Sequence, residues 1–207
     1  YRNDGGRFTD VTAIAGLVSS AFGLSATPVD IDRDGWLDIY VANDFIEPDN
    51  VYFNNRDGTF TDHFFDYFKH TSHFSMGTDA TDFNNDGLVD IIVVDMKSGD
   101  HVRYKELANP MQYDKYNLMV QYGYGRQPGR NMLQLNCGNN TFIDIGQFAG
   151  VSATDWSWTP LMADFNNDGW KDIYITNGYR RDVTDLDYTN CFRDSIRKTG
   201  GITQERF

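Results

Sequence analysis

Short runs of β-branched and aromatic residues, separated by polar clusters rich in Asp, Asn and Gly, dominate the pattern of this chain. Runs of this composition, bounded by such clusters, are typical of β-strands joined by tight turns. Three runs, at residues 39–41, 91–94 and 173–175, each follow an Asp-rich cluster. The pattern therefore predicts a strand directly after each cluster.

A second pattern, an Asn- and Gly-rich turn followed by Phe, any residue and Asp, also occurs three times. Its Phe residues are Phe8, Phe60 and Phe142, and each copy predicts a hairpin turn. The interval from this Phe to the first Asp of the next cluster is 22 residues in every case. A constant interval indicates copies of one unit, which we expect to run strand, Asp loop, strand, strand, turn, strand.

The second unit is longer than the first. From the first Asp of the cluster to the next Phe there are 30 residues in the first unit and 60 in the second, which indicates an insertion of 30 residues at about 97–130. Its Tyr-, Met- and Leu-bearing stretch lacks strand alternation and predicts one or two short helices, and its glycine-rich end predicts a loop. The tail, residues 185–207, is not repetitive, and its sequence is compatible with a helix over residues 185–198.

Four short strands in a unit of about 50 residues match one blade of a β-propeller. The predicted fold is all-β: part of one propeller domain over residues 1–207, with about three to four four-stranded blades and a partly helical insertion. The expected blade units are about 1–18, 19–71, 72–150 and 151–184. Since three blades cannot close a ring, we expect both ends to be cut from a longer array.

The charge balance narrows the classes of partner. Acidic residues outnumber basic ones by 30 to 18, which gives a net charge of −12. This excess disfavours nucleic acid and anionic membranes as partners and favours cations. The longest aliphatic run, residues 91–94, is far shorter than a membrane span, so no transmembrane segment is expected.

The three Asp-rich clusters place oxygen-bearing side chains at positions 1, 3, 5 and 9, with glycine at position 6 for the sharp turn. Alternate residues of such a loop can converge on a hard cation such as Ca²⁺, which takes six to eight oxygens at about 2.3–2.6 Å. At position 7 only the backbone carbonyl would bind, which leaves the apolar side chain free to pack against the blade. The predicted ligands of three Ca²⁺ sites are Asp30, Asp32, Asp34, Trp36 and Asp38; Asp82, Asn84, Asp86, Leu88 and Asp90; and Asp164, Asn166, Asp168, Trp170 and Asp172.

Charge also favours a structural role for calcium. Ten of the 30 acidic residues lie in these three loops, where like charges held together repel, so the metal-free loops are expected to open or fray. An EF-hand is excluded because it needs a bidentate Glu at position 12, where this chain has Val41, Val93 and Ile175. The simpler interpretation, that the clusters are only turn formers, is disfavoured by three copies in one register.

Other groups of residues carry weaker signals. His63, His70 and His73 include an HxxH pair, but ordinary linker or strand packing is the favoured interpretation over a transition-metal site. A bridge between Cys137 and Cys191 stays open. The chain has neither a GxSxG motif nor a P-loop.

Aromatic and basic residues in and around the insertion have two possible roles each. The aromatic ones form either a sugar-stacking or protein-contact surface or, more commonly for such residues, part of a core. They are Tyr104, Tyr113, Tyr116, Tyr122, Tyr124, Trp156 and Trp158. The basic ones, for which solvent exposure is favoured over binding of an acidic partner, are Arg126, Arg130, Arg180 and Arg181.

Taken together, the loops DIDRDGWLDIYVAN, DFNNDGLVDIIVVD and DFNNDGWKDIYITN and the hairpins VYFNNRDGTFTD and LQLNCGNNTFID resemble the FG-GAP/VCBS repeat family, which includes the blades of the integrin α-subunit and of cartilage acidic protein. The resemblance covers nearly the whole chain. The phrase GWKDIYITNGYRRDVTDLDY is most similar to large surface or secreted proteins of Bacteroidota that carry ASPIC/UnbV-type domains.

The resemblance implies a seven-bladed propeller when complete, calcium in the Asp loops, and an extracellular or cell-surface location, at the outer membrane if the protein is bacterial. It further implies non-catalytic binding of a protein or polysaccharide, within a larger surface complex. The alternative is the propeller part of a carbohydrate-active enzyme such as a polysaccharide lyase. The insertion, Cys137 and the tail depart from the usual pattern.

Overall fold

The computed structural model describes residues 1–107, 113–179 and 184–199. Most of these residues form short antiparallel strands and the turns between them. The strands are β1 (Arg2–Asn3), β2 (Phe8–Thr9), β3 (Phe22–Val29), β4 (Asp38–Asp44), β5 (Asn50–Asn54), β6 (Phe60–Asp62), β7 (Gly77–Thr81), β8 (Asp90–Val94), β9 (Met96–Lys97), β10 (Met132–Asn136), β11 (Phe142–Asp144), β12 (Asp155–Ala163) and β13 (Asp172–Asn177). The helices are α1 (Phe64–Tyr67), α2 (His101–Glu106), α3 (Tyr113–Gln121) and α4 (Leu186–Thr199).

The strands form four antiparallel sheets. The first full sheet has the order β3-β4-β5-β6 and the second β7-β8-β10-β11, and each therefore has four strands. The third has the order β9-β12-β13 among the described residues, and β1 and β2 form a hairpin. The predicted unit of strand, Asp loop, strand, strand, turn, strand is confirmed for the first two full sheets.

Each Asp loop joins the first two strands of its sheet in the same register. The residue before the loop pairs with the loop's ninth residue, which is also the first residue of the next strand. These pairs are Val29 with Asp38, Thr81 with Asp90, and Ala163 with Asp172. The 22-residue interval in the sequence thus corresponds to one repeated backbone geometry.

The insertion leaves the second sheet and returns to it. After β8, the two-residue strand β9 pairs with β12 of the third sheet through Met96 and Trp156. Helices α2 and α3 follow, which confirms the predicted short helices, while residues 108–112 of the insertion lie outside the described part of the chain. The insertion therefore connects two neighbouring sheets, a contact that the sequence did not predict.

Helix α1 was also not predicted. The segment after β6 was expected to be linker or strand, yet Phe64–Tyr67 forms one helical turn that buries Phe64 and Phe68. These two residues are four apart, which places them on the same face of a helix. Helix α4 confirms that the tail is helical over most of residues 185–198. The described helices include none that is long and apolar enough to cross a membrane.

The apolar core consists of two clusters, one on each side of the second sheet. In β8, Ile91 and Val93 belong to the first cluster, whereas Ile92 and Val94 belong to the second. The first cluster includes residues of the first full sheet, such as Tyr40, and the second includes Met162 of the third sheet. A continuous apolar run is typical of a strand that is buried on both faces. The three sheets thus pack face to face.

The strands that lead into the three Asp loops, β3, β7 and β12, lie side by side. Thr27 of β3 and Thr78 of β7 are hydrogen-bonded through their hydroxyl oxygens at 2.5 Å. On the other side of β7, the backbone N–H of Met162 in β12 donates to Asp79 Oδ2 at 2.7 Å. Strand β7 is therefore held between β3 and β12 by side-chain hydrogen bonds.

Candidate metal centre

The three Asp loops share one backbone conformation. Position 4 has a positive φ in each: 64° at Arg33, 61° at Asn85 and 60° at Asn167. The glycines at position 6 have φ of 88°, 85° and 91°, values that residues with a Cβ rarely adopt. Two left-handed residues separated by one position bend each loop sharply, so that its side chains point inwards.

Position 1 closes each loop through backbone hydrogen bonds. In the first loop, the N–H groups of Asp34 and Gly35 donate to the two carboxylate oxygens of Asp30 at 3.1 and 3.0 Å. The same pair of hydrogen bonds closes the second loop on Asp82 and the third on Asp164, at 2.9–3.1 Å. The residue at position 3 accepts from the same position-5 N–H in all three loops.

Position 9 connects the loop to the rest of its sheet. Asp38 is buried and accepts from the backbone N–H groups of Ile31, at 3.0 Å, and Asn54, at 2.9 Å. Asp90 is also buried and accepts in the same way from Phe83 and Asn136, both at 2.9 Å. In the third loop, Asp172 accepts from Phe165 at 3.1 Å.

The first loop brings three carboxylates together. One oxygen each of Asp30, Asp32 and Asp38 lies within 4.8 Å of the other two, and within the described part of the chain this is the one group of acidic, His or Cys side chains that converges so closely. A set of carboxylate oxygens fits a hard cation. In the other two loops position 3 is Asn84 or Asn166, so the third carboxylate is absent from that position. The first cluster could therefore bind a metal ion.

Asp34, the fourth acid of the first loop, faces Arg56 of the β5–β6 turn. The Arg56 Nη2 atom lies 2.6 Å from Asp34 Oδ2, and its Nε donates to the same oxygen at 2.8 Å. Arg56 was not among the predicted site residues. Its guanidinium binds one carboxylate oxygen of Asp34 and places a positive charge next to this acidic loop.

The electrostatic environment differs between positions. Burial raises the pKa of Asp38 and of Asp90, against the effect of the backbone hydrogen bonds that they accept. The N–H of Trp36, followed by Arg56, lowers the pKa of Asp34. The N–H of Gly169 lowers the pKa of Asp164. Asp38 and Asp90 therefore carry the cost of burying a carboxylate, which a bound cation would reduce.

The side chains at position 7 behave differently from the expectation that they pack against the blade. The expectation is wrong for Trp36 and Trp170, which are 48% and 60% exposed. Leu88, in contrast, is partly buried and lies near the β10–β11 turn, where a Cβ on Gly138 would be 4.0 Å from its Cδ1.

The remaining histidines and cysteines form no further metal site among the described residues. His63 pairs with Asp66 at 2.7 Å, and His70 with Asp144 at 3.1 Å. His73 is fully buried next to Gln127, and burial lowers its pKa. Cys137 and Cys191 are exposed and unpaired.

Arg130 is not solvent-exposed as expected. Its Nη1 lies 2.6 Å from Asp144 Oδ2, and its side chain is only 14% exposed. Burial alone would raise the pKa of Asp144, but hydrogen bonds from His70, Gly146 and Arg130 outweigh burial and lower that pKa to about 2. This pair thus has a structural role. Arg126 is exposed, whereas Arg180 and Arg181 lie outside the described residues.

The aromatic residues of the insertion divide into two groups. Tyr113 and Tyr122 are 78% and 72% exposed, and Tyr116 and Tyr124 are partly buried. Tyr104, Trp156 and Trp158 line one cavity together. The sequence alone does not separate these three residues from the other aromatic ones, because it shows only their spacing along the chain.

Comparison with known proteins agrees with the repeat geometry. The sequence profile of the FG-GAP-like repeat matches residues 1–41, 30–93 and 119–175. No curated protein matches the chain. Since the three matches cover most of the chain and each includes at least one complete Asp loop, the protein belongs to the FG-GAP-like repeat family.

Proposed function

We propose that this chain is part of a calcium-stabilised extracellular β-propeller that binds protein or glycan partners without catalysis. The observation that carries the proposal is the repeated Asp loop, with one register, one backbone conformation and the same hydrogen bonds to the position-1 carboxylate in all three copies. A repeat that only had to turn the chain would not need an acid at positions 1, 5 and 9 each time.

Calcium is the proposed ion because every candidate ligand is an oxygen. In the first loop Asp30, Asp32 and Asp38, whose oxygens converge, would hold it together with Asp34 and the carbonyl of Trp36. The corresponding residues of the other loops would each hold one more. Bound Ca²⁺ supplies positive charge that offsets repulsion between carboxylates and the cost of burying Asp38 and Asp90. Its role is therefore to stabilise the connection between the first two strands of each sheet.

A propeller is the architecture that best accounts for the side-by-side first strands. Sheets that repeat radially place one strand each near a central axis and bury both faces of the sheets between neighbours. The contacts of β3, β7 and β12, and the two apolar clusters around β8, support this arrangement for three successive sheets. Three sheets would form part of the ring.

The extracellular location follows from the proposed ion. The loops lack the bidentate Glu of tight calcium sites, and weak sites of extracellular modules bind calcium with Kd of about 10⁻⁴–10⁻³ M. Such sites are loaded only where calcium is abundant, outside the cell or on its surface.

Thermal unfolding with and without calcium tests the proposal. We expect the melting temperature to rise when millimolar Ca²⁺ replaces a chelator, because an ion that binds only the folded state stabilises it. Backbone NMR can follow each loop separately, because the amides of Gly35, Gly87 and Gly169 each donate to a position-1 carboxylate. All three amide signals should shift on calcium addition.

Two variants sharpen the test. Asp30→Asn should abolish the calcium-dependent shift of the Gly35 amide and leave those of Gly87 and Gly169 in place. Asp114→Asn removes the same charge from an exposed position in α3 and should change none of them. A melting curve that does not respond to calcium would refute the calcium role, and release of cleavage products from a polysaccharide would contradict a non-catalytic function.

A further inference from the structure

A cavity of about 420 Å³ lies at the ends of the sheets remote from the Asp loops. Its walls are formed where β4 and β8 end and where β7 and β12 begin, whereas the Asp loops lie at the opposite ends of these strands. This volume is within the range typical of small-molecule sites. The cavity is therefore separate from the candidate metal centre.

The walls of this cavity are mainly aromatic. Six aromatic side chains line it: Phe45, Phe74, Tyr104, Trp156, Trp158 and Tyr179. They come from all three sheets and from the insertion, so the cavity exists only when these parts of the chain are packed together. Trp158, one of these lining residues, is 44% exposed.

Helix α2 closes one side of the cavity and is held firmly. Its N-terminal residue Asp100 accepts from the N–H of Arg103 at 2.7 Å. The guanidinium of Arg103 forms two hydrogen bonds with Asp155 at the start of β12, at 2.7 and 3.1 Å. Beyond the helix, Leu107 pairs with Asp185 in an isolated antiparallel bridge. Two connections thus fix the helix over the cavity.

The ring of Trp158 is positioned by a glycine. Gly178 packs so closely against the indole Nε1 edge that a Cβ at residue 178 would overlap it. The neighbouring Trp156 is held by Tyr179, with an edge-to-face contact and 4.3 Å between the ring centroids. Rings held in place before binding cost little entropy when a ligand stacks on them.

Charged groups of both signs share this cavity. Asp44 is half-buried and its Oδ1 accepts from the N–H of Phe45 at 2.9 Å, while Asp95 is buried and accepts from Ser72 and Phe74. The ammonium of Lys97 lies 5.8 Å from the ring centroid of Tyr104. Lys97 would repel a cationic ligand, and the carboxylates of Asp44 and Asp95 would repel an anionic one. The charges therefore favour a neutral ligand with hydroxyl groups, which can both donate and accept hydrogen bonds.

We propose that this cavity binds one neutral pyranose residue of a saccharide. The apolar C–H face of the ring stacks on Trp158, and hydroxyl groups donate to Asp44 and accept from Lys97. This inference rests on the proposed binding function and specifies its ligand. Trp158 and Asp44 contact the sugar, and Gly178 is a positioning residue.

Titration of the calcium-loaded chain with methyl glycosides of glucose, galactose, mannose and N-acetylglucosamine tests the inference, with ligand-observed NMR and tryptophan fluorescence as readouts. We expect at least one glycoside to bind. Trp158→Leu should weaken its binding about three- to tenfold, as expected for loss of one aromatic stacking contact. Phe148→Leu, a matched aromatic substitution at a side chain that is 95% exposed, should leave binding unchanged.

Two further variants keep the test decisive if Trp158→Leu fails to fold. Asp44→Asn preserves the shape of the side chain and should weaken binding, and Gly178→Ala should weaken it by displacing the Trp158 ring. Binding that is equal in all these variants would overturn the assignment to this cavity. Binding of a basic peptide in place of every glycoside would overturn the ligand class.

The calcium-dependent melting shift, measured on the same samples, separates this inference from the proposed function. If the shift is present and no glycoside binds, the saccharide site is refuted while the calcium-stabilised module stands. If the shift is absent and a glycoside binds, the calcium role fails and the cavity assignment is retained.

Discussion

Asp32 and Arg56 distinguish the first Asp loop from the other two. Position 3 is a carboxylate only in the first loop, which therefore has four acids where the others have three. Arg56 lies in the following hairpin turn, two residues after Asn54, whose N–H donates to Asp38. Gly138 has the equivalent place in the second sheet, two residues after Asn136. Compared with the second sheet, the first thus has at these positions one more acid, Asp32, and one more basic residue, Arg56.

We therefore predict that Arg56→Ala increases the calcium affinity of the first loop by about two- to fivefold. The ion pair lies at the surface, with the Arg56 side chain 58% and the Asp34 side chain 14% exposed. Surface ion pairs are worth roughly 0.2–1 kcal/mol, and calcium would no longer have to displace this one from Asp34. The shift of the Gly35 amide during a calcium titration measures this affinity.

Two comparisons control the Arg56 experiment. The affinity of the second loop, read from the Gly87 amide, should stay the same in Arg56→Ala. Arg126→Ala, which removes an exposed arginine from the insertion, should alter neither loop. An unchanged or weaker first site in Arg56→Ala would show that the guanidinium does not compete with the ion.

At the scale of elements, the contact between β7 and β12 depends on one missing side chain. A Cβ at Gly77 would overlap the backbone oxygen of Trp158, and it would also press on Pro160 at 3.2 Å. Gly77 lies at the start of β7 and pairs with Val94 of β8. Its small size therefore allows the second and third sheets to approach each other closely.

We predict that Gly77→Ala destabilises the protein by about 1–3 kcal/mol, the usual cost of forcing an extra carbon into a packed site, because backbone must move to accommodate it. Urea unfolding followed by circular dichroism measures the loss. Gly99→Ala provides the control, since a Cβ there comes no closer than 3.4 Å to another atom. Equal stability of the two variants would contradict a close contact at Gly77.

At the scale of the whole molecule, the acidic charge is concentrated at one end of the sheets. The net charge is −12, and ten of the 30 acids lie in the Asp loops. Three divalent ions would add six positive charges and reduce the net charge from −12 to −6. Repulsion among the loops should therefore limit the stability of the metal-free protein more than that of the loaded one.

Salt dependence of unfolding follows from this charge distribution. We predict that adding NaCl raises the melting temperature of the chelator-treated protein more than that of the calcium-loaded protein, because salt shortens the screening length from about 10 Å at 0.1 M to about 3 Å at 1 M. Sorbitol, a neutral solute, should affect both forms alike. Equal salt dependence with and without calcium would show that loop repulsion is not the limiting factor.

The sequence predicted those features whose residues are close together along the chain. The strands, the hairpin turns at Phe60 and Phe142, the Asp loops and their register all follow from local patterns, since an Asp loop contains its own candidate ligands within nine residues. The Asp loops can be predicted from nearby residues alone, because hydrogen bonds to their own carboxylates shape the loop backbone.

Only the tertiary structure revealed the features that join distant residues. Arg56 faces Asp34 across 22 residues, Arg130 reaches Asp144, and β9 leaves its own sheet to pair with β12. The cavity is assembled from three sheets and the insertion. None of these contacts has a periodic signal, because they depend on how the sheets pack and on side chains that approach from different units. The repeat in the sequence therefore determined the unit and its acidic loop, whereas the packing of unlike surfaces between units decided which charges are paired and where the cavity forms.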